Sequence, residues 1–156
     1  MRFSLAVTLA AAALSLACSG RRIPGTEIKD NADTRAIVAV IDQYRAAAER
    51  RDAAAVMALV SRKYFDDAGT PDPGDDVDYE QLKQRLGNDY AKITSLRLDI
   101  GVRGIDVDDD KAAAYVYYDE HYRIATRAGE VPRQASDSHR MRFVRESGAW
   151  KFVSGL

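Results

Sequence analysis

Between Thr34 and Phe65 apolar side chains return every three or four positions: Ile37, Val40, Ile41, Tyr44, Ala47 and Ala48, then Val56, Leu59 and Val60. That spacing places an apolar stripe along one side of a helix. Asp33 or Thr34 can accept the free amide hydrogens of a first turn, so the helix is expected to run from there to about Arg50. Asp52 has the chemistry of a second cap, for a helix ending near Lys63. No glycine or proline lies between Arg51 and Ala53, so one uninterrupted helix is equally allowed. From Asp66 to Asp78 the chain turns to aspartate, glycine and proline, which is loop chemistry. Asp78 followed by Gln81 has the form of a capping box, and Tyr79, Leu82, Leu86, Tyr90 and Ile93 then share one helical face.

Beyond this third helix the period drops to two. Leu96, Leu98, Ile100 and Val102 alternate with Arg97, Asp99, Gly101 and Arg103, the pattern of a half-buried strand, and Gly104 shifts the phase as a bulge would. Ala112 to Thr126 predicts a long strand whose faces differ. Ala114, Val116, Tyr118, Glu120, Tyr122 and Ile124 lie on one, and Tyr115, Tyr117, Asp119, His121 and Arg123 on the other. A third strand carries Ala135, Asp137, His139, Met141 and Phe143 on one face, and Glu146-Ser147-Gly148 turns the chain into a fourth with Trp150 and Phe152. Short turns between successive strands imply an antiparallel meander, and helices followed by strands imply an α+β domain with the helices on one sheet face.

The remaining stretch is the first. Arg2 precedes an apolar, alanine-rich run from Leu5 to Leu16, too short to span a membrane and laid out as a secretory signal over residues 1–17. Leu14-Ser15-Leu16-Ala17-Cys18 resembles a bacterial lipoprotein signal, which implies lipidation of Cys18; cleavage at an ordinary Ala-x-Ala site would release a soluble protein instead. Either route exports the chain, to the bacterial cell envelope if anchored and to the periplasm or medium if not. Residues 18–33 are polar, with Gly20, Pro24 and Gly25, and read as a lipidation site followed by a flexible tether reaching about 20 Å. The domain proper is expected over residues 34–156. A net charge of −1 with interspersed signs leaves no footprint for nucleic acid. Cys18 is the one cysteine, so no internal disulfide and no Cys/His zinc spacing exists.

The segment Ile37 to Phe65, with Tyr44, Ala46-Ala47, Asp52 and Met57-Ala58-Leu59, together with Met141-Arg142-Phe143 and the Gly148 to Phe152 turn, resembles the nuclear transport factor two-like superfamily. That superfamily includes ketosteroid isomerase, scytalone dehydratase and SnoaL-type cyclases. The resemblance covers about residues 33–156 and supports the break at Asp52. It implies a cone-shaped fold, about three helices on a curved antiparallel sheet of about four strands, with a pocket at the wide end and often a dimer through the outer sheet face. Tyr44 falls where the first-helix tyrosine of ketosteroid isomerase lies. The aspartate base would fall near Asp66 to Ala68, and the second oxyanion-hole position on or near His139 rather than on an aspartate.

Candidate chemistry follows from these placements. Tyr44 could donate a hydrogen bond to a carbonyl, and Asp137, two residues from His139 on one strand face, could orient the imidazole as a base. No serine or cysteine nucleophile is placed by a motif. Tyr115, Tyr117, Tyr118, His121, Met141 and Phe143 are the candidate ligand contacts. Asp72, Asp75, Asp76 and Asp78 lack EF-hand spacing, so neither a metal nor any cofactor is expected. The expected partners are a small apolar ligand, a second copy or another envelope protein, and a membrane through the lipid anchor alone. Two functions fit: a ligand-binding or interaction module, or a small isomerase, dehydratase or cyclase. A domain with a filled core and no site is a third.

Overall fold

The computed structural model describes residues 21–156. The expected signal peptide and Cys18 lie outside the described residues. From Arg21 the chain is already committed to the domain. Arg22 and Lys29 form an antiparallel bridge, and Ile28 is 4% exposed. Part of the stretch read as a tether is therefore a closed turn, because its one buried aliphatic residue gains a place in the core.

Helix α1 spans Ala32–Glu49. Its cap is Asn31, two or three residues earlier than the aspartate or threonine expected; Thr34 is instead the reciprocal member of a capping box, its hydroxyl accepting from the Asn31 amide. The helix stops because Arg51 takes a left-handed conformation, φ +55°, with Asp52 capping α2 at once through the Ala55 amide. Helix α2 spans only Ala53–Ala58, shorter than the stripe to Lys63 predicts. Leu59 to Ser61 leave the helix to hydrogen-bond with Phe152, and that pairing, invisible to helical periodicity, ends α2. Strands β1 (Phe65–Asp66) and β2 (Val77–Asp78) close the Asp/Gly/Pro loop as a small ribbon.

Helix α3, Tyr79–Lys92, is opened by the Asp78–Gln81 capping box and passes through Gly87 without interruption. Ile93, expected on its face, instead begins β3. Strands β3 (Ile93–Asp108), β4 (Lys111–Thr126), β5 (Gly129–Glu146) and β6 (Ala149–Ser154) form one antiparallel meander in chain order, with a register shift at Val102/Gly104 where the glycine predicts it. The three helices pack on one face of this curved sheet. Ile37 and Ile41 of α1 meet Ala114, Val116, Met141, Phe143 and Phe152 in one core, with Phe143 and Phe152 centred 4.6 Å apart. Trp150 lies under the Arg145 guanidinium at 4.6 Å, while Arg145 also pairs with Asp33 at 2.8 Å and ties α1 to the sheet. Among the described residues no helix is long and apolar enough to cross a membrane.

Candidate functional site: a cavity between the helices and the sheet

The core fills only one end of the space under the helices. Towards the other end, α1, α3 and the inner face of β3, β4 and β5 diverge around a cavity of about 480 Å³ that opens to solvent. Its walls are apolar: Leu86 from α3, Leu96, Leu98 and Ile100 from β3, Ile124 from β4 and Met141 from β5. Strand periodicity puts these side chains there, since alternate residues of each strand face the helices.

Against those walls stands a small polar group. Tyr44 enters from α1, Tyr90 from α3, Tyr118, Glu120 and Tyr122 from β4, and His139 from β5. Burial pushes the Tyr44 phenol well above its usual range, with Tyr90 and Glu120 adding to the shift. Tyr90 is pushed up to about 12, chiefly by burial and then by Glu120. Tyr118 is raised by burial, then by Asp137 and Glu120. Burial alone lifts the Glu120 carboxyl above its ordinary value. Tyr44, Tyr90 and Tyr118 therefore stay protonated donors across the physiological range, and the Glu120 carboxyl holds a proton more readily than a free one.

Residues 37–155 match the family model described as the SnoaL-like domain. The chain belongs to that family. Similar solved structures include a conserved protein from Planctomyces limnophilus, 15% identical, covering 78% of this chain and 91% of its own, with a TM-score of 0.67. A provisionally named scytalone dehydratase from Novosphingobium aromaticivorans is 15% identical over 78% of this chain and 79% of its own, with a TM-score of 0.67. A provisionally named dehydratase of the NTF2-like family from Streptomyces avermitilis is 15% identical over 78% and 91%, with a TM-score of 0.60. At these identities the likeness concerns the fold. No functionally curated protein matches the chain.

In the SnoaL-like domain the sequence-derived candidates separate. Tyr44, Tyr118, His139 and Met141 all line the cavity. Tyr44 also rests edge-on against Phe152 with ring centres 5.6 Å apart, and Tyr118 meets His139 in the same manner at 5.1 Å. Phe143 is 1% exposed and belongs to the packed core, so its side chain is not at the cavity. Tyr115 and Tyr117 are 42% and 38% exposed on the outer face, which His121 shares, paired with Asp119 at 3.2 Å. Those three cannot contact a ligand in the cavity, because odd-numbered positions of β4 point away from it.

The expected Asp137–His139 pair does not form. Asp137 is exposed and accepts the Ser138 amide, whereas His139 Nε2 lies 3.2 Å from the Gly155 carbonyl oxygen. Gly155 owes its place to having no side chain: at φ +90° a Cβ there would sit 2.5 Å from the Arg140 carbonyl oxygen. Its amide donates to Asp66 at 2.6 Å, so the Asp66 carboxylate, at the position expected for a base, is occupied in holding Gly155 and also accepts from the Tyr64 hydroxyl. The acidic loop is engaged locally as well, Asp72 accepting from Gly74 and Asp75 from Thr70. Among the described residues no group of three or more His, Cys, Asp or Glu side chains converges as metal ligands would. Sequence reasoning missed Tyr90 and Glu120. Glu120 carried a signal, a carboxylate on an otherwise apolar and aromatic strand face between Tyr118 and Tyr122.

Proposed function

We propose that the protein is an exported, lipid-anchored binding module whose cavity takes up a small, mainly apolar molecule and holds its polar end with Tyr44, Tyr90, Tyr118 and Glu120. The observation that carries this reading is the construction of the cavity: apolar walls, about 480 Å³ and one cluster of polar groups, the make-up of a small-molecule site. Saturable, one-to-one binding of the neutral apolar fluorophore N-phenyl-1-naphthylamine is the expected result, and absence of saturable uptake overturns it. Export and anchoring rest on residues 1–18 and are tested separately. The full chain should fractionate with membranes and its Cys18→Ser variant should not; equal membrane recovery of both would remove the anchor.

A second reading, an isomerase, dehydratase or cyclase, is favoured by the common outlook of Tyr44 and His139 on one cavity. Tyr44 would donate to a substrate carbonyl. His139, with Nε2 turned to the Gly155 carbonyl, would offer Nδ1 as the base, without help from Asp137. The two readings part in D2O: an enzyme of this kind exchanges an acidic C–H proton of its ligand in a His139-dependent way, and a binding module leaves that proton in place.

A further inference from the structure

We infer that the cavity is built for a lipophilic organic cation, an amine carried on an apolar body, with its nitrogen between the Glu120 carboxylate and the surrounding tyrosines. The inference rests on the ligand-binding reading above and names the class of ligand.

Three observations converge on it. Glu120 shares the inner face of β4 with Tyr118 and Tyr122, and Tyr44 and Tyr90 reach the same space from two helices. A carboxyl group and four tyrosines lining one cavity are the groups that attract an ammonium, through charge and through the negative ring faces. Secondly, among the described residues Glu120 has no ion-pair partner and no hydrogen-bond donor, and burial is the only influence on its titration. Of the other ionisable side chains at the cavity, Lys92 lies 3.5 Å from Asp89, and His139 Nε2 is turned to a backbone carbonyl. One negative charge is thus left without a counter-charge inside the site. Thirdly, the remaining walls are hydrocarbon, so the body of the ligand must be apolar even though its head is charged.

The physical consequence is a preference. A half-buried carboxylate without a partner is costly, and a ligand that brings a positive charge removes that cost while a neutral one of the same shape leaves it. A neutral ligand bearing a carbonyl could instead draw a hydrogen bond from protonated Glu120, and that outcome is distinguished by the test.

The experiment is competition against bound N-phenyl-1-naphthylamine at pH 7.5, using benzyltrimethylammonium and its uncharged carbon isostere neopentylbenzene. The cation should compete at least about tenfold more strongly than the isostere. Glu120→Gln should lower that ratio at least about fivefold, and Tyr90→Leu, which leaves the charge in place, should lower it by a smaller factor. Equal or stronger competition by the isostere overturns the inference, as does a cation preference that is undiminished in Glu120→Gln. If neither probe displaces a fluorophore that does bind, the inference falls and the cavity reading stands. If the fluorophore itself is not bound, the cavity reading fails first and carries the inference with it.

Discussion

Glu120 shows how one residue sets a property of the empty protein as well as of the site. Its folded-state pKa is raised above the ordinary 4.5 by burial, so the stability it contributes is complete below that value and is lost as pH rises through the folded-state titration. The empty domain should therefore weaken from about pH 4.5 upward on account of this group. Glu120→Gln cannot ionise and should be the more stable protein at neutral pH, by less than about 1 kcal/mol because the carboxyl is partly solvated. Urea midpoints measured against pH should converge for the two proteins at the acid end and separate above it; parallel curves would contradict the assignment. Tyr90 has the same sign at the opposite end of the scale, its contribution fading as pH rises from 10.0 towards about 12.

At the scale of elements, the strands were the most legible part of the chain. The two faces of β4 were readable from alternation alone, and the structure keeps every one of those positions on its expected side. The Gly104 irregularity and the Asp78–Gln81 cap were equally plain, since each depends on a local backbone requirement. What alternation does not carry is contact. Asp137 and His139 share a face, but two residues along a strand separate their backbones by roughly 6.8 Å. The imidazole found the Gly155 carbonyl instead, brought in by β6 from 16 positions away. The length of α2 was illegible for a related reason, because the pairing of Leu59 to Ser61 with Phe152 is a long-range choice made by the sheet edge. Glu120 was visible as the one carboxylate between Tyr118 and Tyr122 on its face, but the strand alone does not show that α1 and α3 converge over it and make it part of a cavity. The turn around Ile28 was hidden by its polar neighbours.

For the whole molecule, the division of labour runs along the sheet. One end is filled by Phe143, Phe152, Ile37 and Met141, and the other is held open between α1, α3 and β3 to β5. A filled end lets the fold stand without a ligand, so the open end can be specialised without supporting the core. The exposed Tyr115 and Tyr117 lie on the outer face, away from that cavity, so uptake of a ligand and contact through the outer face are spatially separate. The central claim is that the open end is a true binding space and not a packing defect. It is tested most directly by titrating N-phenyl-1-naphthylamine into the protein and its Ile100→Trp variant side by side. Ile100 stands on the cavity wall at the edge of the core, and an indole in its place takes up cavity space. A saturable, blue-shifted fluorescence is expected with the native protein, and a loss of at least about tenfold in affinity in a variant that still unfolds cooperatively. Equal binding by the two proteins would place the fluorophore elsewhere and contradict the account.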